Sequence, residues 1–104
     1  MNAKELARRL NRKAPPAVID VRSALEFRSG HIPGAVHIPF WSLLMHKKRL
    51  PSDRQAPLVV TCEHGPRAQL AAAQLGVLGY RQVELLDGHM AGWRGAGRPT
   101  EKSA

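Results

Sequence analysis

Two short apolar runs, each preceded by proline, constrain most strongly what this chain can fold into. They are residues 17–21, AVIDV, and residues 58–61, LVVT. Both are rich in β-branched residues, and they are apolar at nearly every position rather than at alternate ones. This pattern is typical of strands that are covered on both faces, as in a parallel sheet. We therefore expect helices on both sides of a central sheet.

Segments with helical signals separate these strands. Helices are predicted from the spacing of apolar residues, or from residues that typically start and stop helices, at residues 2–12, 23–29, 41–49, 68–78 and 88–93. Ser23 and Glu26 have the spacing of a capping box, and two more short strands are predicted at residues 35–38 and 83–86. Strands that alternate with helices indicate parallel pairing, because parallel neighbours need crossover connections. We predict an α/β fold of three layers, with a parallel sheet of about four strands and helices on both faces.

The length of 104 residues is that of one domain. We assign residues 1–96 to this domain. From Gly97 onward, glycine, proline and charged residues replace the apolar periodicity, so residues 97–104 are predicted to be a flexible C-terminal tail.

The chain is strongly basic, with 16 Lys and Arg residues against 8 Asp and Glu and a net charge of +8. Such a surface attracts anions in general, and an acidic protein is one candidate partner. Aromatic residues make up only 5% of the chain and lie largely in apolar contexts, so nucleic-acid binding is not predicted. No apolar stretch approaches the roughly 18 residues of a membrane helix, and residues 1–5 lack the apolar core of a signal sequence. We expect a protein of the reducing cytoplasm that binds no membrane.

The single cysteine, Cys62, directly follows the run at residues 58–61. One cysteine excludes an internal disulfide and every zinc site built from cysteine pairs, and no metal site is predicted. Ligand sites in open α/β sheets lie at the carboxyl ends of the strands. The thiol should therefore emerge at the edge of the sheet where ligands bind.

The loop after this strand has the composition of a turn that stabilises negative charge. Gly65 allows the backbone to curl around the sulfur, and Pro66 suits the first turn of the next helix. Unpaired N–H groups would then point at one spot and stabilise a thiolate or a bound oxyanion. The alternative is that Cys62 is a small buried apolar residue, but the Gly, Pro and Arg that follow it favour a reactive site. The candidate site is the six-residue loop Cys62, Glu63, His64, Gly65, Pro66 and Arg67.

Several segments between Val18 and Trp93 together resemble the single-domain rhodanese family. They are Asp20-Val21-Arg22, Glu26-Phe27, Gly30-His31-Ile32-Pro33-Gly34-Ala35, Cys62-x-x-Gly65-x-Arg67, Ala71-Ala72, Gly79-Tyr80, Val83, Leu86 and Gly88 through Trp93. The resemblance implies a rhodanese-like fold and a sulfurtransferase without metal or organic cofactor. Cys62 would take sulfur from a small-molecule donor such as thiosulfate, as a persulfide, and pass it to cyanide or a thiol. Many members carry an edge strand ahead of the first helix, whereas the sequence here begins at that helix, so four parallel strands are expected in the main sheet. Ser or Thr is common in the family at the position of Ala68.

The same resemblance implies roles for individual residues. Asp20 and Arg22 are expected to brace the active loop rather than to react. Arg67 either binds a substrate anion or pairs with a carboxylate. Glu63 and His64 occupy variable loop positions, and the acidic Glu63 is expected to disfavour the dianion thiosulfate.

Two other functions fit parts of the pattern. Phosphatases and arsenate reductases of the related Cys-loop type have a loop that is one residue longer and fits a tetrahedral oxyanion. A rhodanese-fold binding or sulfur-carrier module would use the basic helix at residues 2–13 as a contact surface. Members of that inactive kind tend to lack the cysteine, whereas this chain has Cys62.

Overall fold

The computed structural model describes residues 1–103 and contains the predicted alternation of helices and strands. Helices α1 to α4 span Ala3–Leu10, Ala24–Ser29, Pro66–Val77 and His89–Gly95. Strands β1 to β4 span Ala17–Asp20, Val36–His37, Leu58–Thr61 and Val83–Leu85, and a 3-10 helix, Phe40–Arg49, lies between β2 and β3. The predicted order of elements is confirmed, and element ends differ from prediction by at most two residues.

The four strands form one parallel sheet in the order β2-β1-β3-β4. β1 pairs with β3 along its whole length, from Ala17 opposite Leu58 to Asp20 opposite Thr61. This confirms the α/β fold with four parallel strands. Because all strands run in the same direction, the residues that follow them meet at one edge of the sheet.

Apolar side chains cover both faces of the sheet. Ile19 and Val60 pack on one face with α3 and the 3-10 helix, whereas Val18 and Val59 pack on the other with α1 and α4. All four are at most 2% exposed. Successive side chains of a strand point to opposite faces, and burying each aliphatic side chain contributes about 1.5–3 kcal/mol. Two covered faces therefore explain why these strands are apolar at consecutive positions.

The predicted capping box at the start of α2 is present. The Ser23 side chain accepts a hydrogen bond from the N–H of Glu26 at 3.3 Å, and the Glu26 carboxylate accepts one from the N–H of Ser23 at 3.1 Å. Each bond satisfies an N–H group that a helix start leaves without a partner. The Glu26 carboxylate is thereby fixed close to the carboxyl end of β1.

The 3-10 helix leaves an apolar face exposed. Trp41, Leu44 and Met45 are 63%, 60% and 80% exposed, whereas Leu43 is buried. The apolar residues that mark this helix in the sequence are thus mostly outside the core. No helix within residues 1–103, this one included, is long and apolar enough to cross a membrane.

The C-terminal residues fold back onto the domain. The indole N–H of Trp93 donates to the carbonyl of Pro99 at 2.8 Å. His31 and Glu101 exchange two backbone hydrogen bonds, at 2.9 and 2.8 Å, as an isolated antiparallel bridge. These contacts attach the chain end to the turn that precedes β2.

The flexibility predicted for residues 97–104 stays a prediction, but the sequence did not predict these contacts. The prediction followed from the missing apolar periodicity, whereas the observed contacts are made largely by backbone N–H and C=O groups, which nearly every residue type carries. Such contacts leave no pattern in the sequence. Ala104 lies outside the described residues.

Candidate active site

Cys62 directly follows β3 and lies at the carboxyl edge of the sheet. Its thiol is free and the residue is fully buried. The backbone N–H of Gly65 donates a hydrogen bond to Sγ at 2.9 Å. A donor aimed at sulfur favours the negatively charged form, which is the nucleophilic form of cysteine.

Access to this thiol is closed in the observed conformation. A cleft of about 500 Å³ lies beside the loop, and its lining includes Glu63, Arg94 and residues of α2. Cys62 does not line it and has no exposed surface. A molecule in solution therefore reaches Sγ only after side chains around the loop move.

The turn behind the sulfur depends on Gly65 and Pro66. Gly65 has a φ of +129°, a conformation that residues with a Cβ rarely adopt. A Cβ at Gly65 would also lie 3.2 Å from Nε2 of His89. Pro66 is the first residue of α3, where its missing N–H costs no helical hydrogen bond.

His89, at the start of α4, supports the loop and was missed by the sequence analysis. Its Nδ1 accepts a hydrogen bond from the backbone N–H of Cys62 at 3.3 Å, and the residue is 7% exposed. The next two residues, Met90 and Ala91, donate their backbone N–H groups to the carbonyls of Cys62 and Glu63 at 3.0 and 3.2 Å. The available signal was position, because β4 neighbours β3 and the residues after both strands share one edge.

A chain of charged groups connects β1 to the loop. The buried carboxylate of Asp20 accepts hydrogen bonds from the Arg22 guanidinium at 2.8 and 3.0 Å. Arg22 also lies 3.4 Å from the carboxylate of Glu63, which pairs on its other oxygen with Arg94. Arg22 and Arg94 therefore both lie beside the Glu63 carboxylate, and the expectation that Glu63 disfavours thiosulfate stays a prediction.

Arg67 pairs with a carboxylate, one of the two roles expected for it. Its guanidinium donates to both oxygens of Glu26, at 2.6 and 3.0 Å. These hydrogen bonds hold the pKa of Glu26 at about 2 and raise the pKa of Arg67. Arg67 is thereby fixed at the end of the loop, and its charge also interacts with Cys62.

His64 and Pro66 form the exposed part of the loop. The structure thus brings the six loop residues to one edge of the sheet, together with Asp20 at the end of β1 and Arg22 just after it. Within residues 1–103, no three His, Cys, Asp or Glu side chains are grouped so that they could hold a metal ion. The chemistry that this arrangement offers is that of one thiol whose sulfur accepts the N–H of Gly65, with arginines nearby.

Solved structures share this architecture. The thiosulfate sulfurtransferase of Pseudomonas aeruginosa superposes with a TM-score of 0.91 at 29% identity, covering 100% of this chain and 20% of that chain. The rhodanese-related protein of Thermoplasma volcanium superposes with a TM-score of 0.82 at 31% identity, covering 96% of this chain and 94% of that one.

Sequence comparison agrees with the structural likeness. Thiosulfate sulfurtransferase GlpE of Ectopseudomonas mendocina is 42% identical over 77 residues, which cover 74% of this chain and 69% of that protein. The protein of the same name from Pseudomonas aeruginosa is 40% identical over 92 residues, covering 88% and 81%. The sequence pattern of the Rhodanese-like domain matches residues 2–96. The chain belongs to the rhodanese-like domain family.

Proposed function

We propose that this protein is a rhodanese-type thiosulfate sulfurtransferase with Cys62 as its nucleophile. The observation that carries the proposal is the 2.9 Å hydrogen bond from the N–H of Gly65 to Sγ, which favours a negatively charged sulfur at this position. Relatives at 42% and 40% identity bear the name thiosulfate sulfurtransferase, which supports the same reaction.

The reaction has two displacement steps at sulfur. The Cys62 thiolate attacks the outer sulfur of thiosulfate, a bond between the two sulfurs forms, and sulfite leaves with the electron pair of the broken S–S bond. An acceptor then attacks the terminal sulfur of the persulfide. Cyanide becomes thiocyanate, or a thiolate becomes a persulfide, and the Cys62 thiolate is restored.

The surrounding residues hold the loop during both steps. The N–H of Gly65 stabilises charge on the attacking and leaving Sγ, and Arg67 adds positive charge near it. In this proposal Asp20 and Arg22 brace the loop through the contact of Arg22 with Glu63. His64 is exposed on the loop, and in this proposal it contacts a donor that approaches from solvent.

Mass spectrometry of the intact protein after incubation with thiosulfate tests this proposal. We expect one added sulfur atom that disappears on treatment with cyanide, and no addition to Cys62→Ser, whose side chain is of similar size. An unmodified Cys62 would overturn the proposal. Hydrolysis of an aryl phosphate by the same protein would favour the phosphatase alternative, which the six-residue loop and the names of the relatives disfavour.

We further propose that an acidic protein carrying a free thiol is one acceptor. The exposed apolar face of the 3-10 helix, Trp41, Leu44 and Met45, is followed by the exposed Lys47 and Lys48. Within residues 1–103 neither lysine forms an ion pair, so their charges are free to meet acidic side chains. The helix begins at the same edge of the sheet as the loop, because the N–H of Phe40 donates to the carbonyl of Val21, just past β1.

A Glu-rich peptide with one cysteine and one leucine serves as the probe for this surface. We expect sulfur transfer to the peptide to slow with added salt and in the double variant Lys47→Glu, Lys48→Glu. Transfer to the neutral thiol 2-mercaptoethanol should change little in either case. If salt and the double substitution changed the transfer rates to the two acceptors equally, the proposed docking surface would be contradicted.

We also propose that the protein acts in the cytoplasm. Its nucleophile is a single free thiol, and a reducing compartment keeps such a thiol available for reaction. Cell fractionation followed by immunoblotting should find the protein in the cytoplasmic fraction, and recovery from an oxidising compartment would contradict this.

A further inference from the structure

The backbone of His89 is unusual for its residue type. Within residues 1–103 it is the one non-glycine residue with a positive φ, at +51°. A residue with a Cβ is disfavoured in this left-handed region, and such conformations persist where the surrounding structure demands them. At His89 this conformation goes together with a side chain that lies against the active loop.

The imidazole of His89 contacts the loop at two points. Nδ1 accepts a hydrogen bond from the N–H of Cys62 at 3.3 Å, and Nε2 lies against the Cα of Gly65, where a Cβ would be 3.2 Å away. Gly65 in turn donates its N–H to the Cys62 sulfur at 2.9 Å. One ring therefore sets the spacing between the nucleophile and the residue whose N–H faces it.

The protonation state of the ring suits this contact. Burial lowers the pKa of His89, the nearby His64 acts in the same direction, and Asp87 opposes them. Glu63, the carboxylate next to Cys62 in the loop, is paired with Arg22 and Arg94. A neutral His89 that accepts at Nδ1 carries its proton on Nε2.

We infer that His89 is a positioning residue for the sulfur-accepting cysteine, acting through the backbone of Cys62 and Gly65 rather than on the substrate. This inference rests on the proposed role of Cys62 as the nucleophile. The imidazole holds the N–H of Cys62 and fixes the curvature that aims the N–H of Gly65 at Sγ. Without it, both N–H groups lose their orientation and the thiolate loses a hydrogen bond.

Two substitutions separate the hydrogen bond from the backbone requirement. His89→Gly accepts the positive φ but has no acceptor for the N–H of Cys62. His89→Asn tolerates the same region and places a carbonyl oxygen near the position of Nδ1. His46→Gly, on the 3-10 helix away from the loop, is the matched control for removing an imidazole.

The readout is the rate at which Cys62 reacts with iodoacetamide at neutral pH, which needs no sulfur donor. We expect His89→Gly to slow alkylation and sulfur transfer by about fivefold to tenfold, the order of one lost hydrogen bond. His89→Asn should recover most of both rates, and His46→Gly should match the wild type. Wild-type or faster rates in a folded His89→Gly protein, or equal losses in the Gly and Asn variants, would overturn the inference.

A measurement on the unmodified protein covers the case in which the Gly variant fails to fold. The ¹⁵N shifts of the His89 ring report which nitrogen carries the proton, and we expect Nε2–H with an unprotonated Nδ1. A proton on Nδ1 at neutral pH would overturn the inference. Failure of the proposed function would appear differently, as a Cys62 that is alkylated at a rate sensitive to His89 yet gains no sulfur from thiosulfate.

Discussion

The guanidinium of Arg67 and the carboxylate of Glu26 are joined by two hydrogen bonds, of 2.6 and 3.0 Å. The same carboxylate accepts the N–H and hydroxyl of Ser23 at the start of α2. One side chain therefore fixes both the first turn of α2 and the end of the active loop. These bonds explain why the pKa of Glu26 falls to about 2.

Replacing this carboxylate should cost stability and loosen the loop. We expect Glu26→Gln to lower the free energy of unfolding by about 1 kcal/mol at pH 7, a modest value because solvent screens a partly exposed pair. Glu84→Gln, at an exposed position of β4, is the control and should change little. Urea unfolding of both variants gives the comparison, and equal stabilities would contradict the role of Glu26.

The acid dependence of stability should report the same contact. Glu26 ionises at about 2 in the folded protein and near 4.5 when exposed, so the unfolded chain binds the proton first as the pH falls. The stabilisation is complete above pH 4.5 and is lost between pH 4.5 and 2. Thermal melts across this window should show a smaller loss for Glu26→Gln than for the wild type. Parallel curves would contradict this assignment.

His89 should make stability fall at mildly acidic pH. Its pKa is lowered in the folded protein, chiefly by burial, so the unfolded chain binds a proton more readily once the pH drops below about 6.5. Stability from this group is complete above that pH and declines below it. Between pH 7.5 and 5.5, the melting temperature of His89→Asn should therefore decrease less than that of the wild type. A decrease of the same size in both proteins would assign the effect to other groups.

The turn at Gly65 should not tolerate a side chain. Gly65→Ala combines a φ of +129° with a Cβ 3.2 Å from the His89 ring. We expect the free energy of unfolding to fall by about 2 kcal/mol and most of the sulfur-transfer activity to be lost. Gly34→Ala is the matched control. Gly34 also has a positive φ, +83°, but nothing lies within 4 Å of its added Cβ. The Gly34→Ala variant should lose about 1 kcal/mol of unfolding free energy and keep its sulfurtransferase activity. Sulfur transfer measured under conditions where both variants are folded separates a loss of stability from a loss of the loop geometry. Equal activities of the two folded variants would contradict the role of Gly65.

The C-terminal residues should contribute to stability. Ending the chain at Gly97 removes the acceptor of the Trp93 indole and the bridge between His31 and Glu101. We expect the free energy of unfolding to fall by about 1–2 kcal/mol. Ending it at Glu101 leaves those contacts in place and should cost little. Calorimetry of the two truncated proteins tests this, and equal melting temperatures would instead support the flexible tail that the sequence predicts.

The local features of this fold could be predicted from the sequence. Apolar runs bounded by proline predicted the strands at residues 17–21 and 58–61, because a strand covered on both faces needs apolar residues at consecutive positions. The spacing of Ser23 and Glu26 predicted the capping box, which involves residues only three positions apart. These features depend on neighbours in the chain, so the sequence alone determines them.

The contacts that complete the site depend on which elements become neighbours in space. Arg67 and Glu26 are 41 positions apart, and His89 lies 27 positions beyond Cys62. No periodicity or local motif relates such pairs, and the strand order β2-β1-β3-β4 is what places the residues after β4 beside the loop after β3. The sequence thus determined the strands, the capping box and the position of the single thiol, Cys62, at the end of β3. Only the tertiary structure decided which side chains hold the loop around this thiol in place, because hydrogen bonds between distant residues form only after the sheet has set their distance.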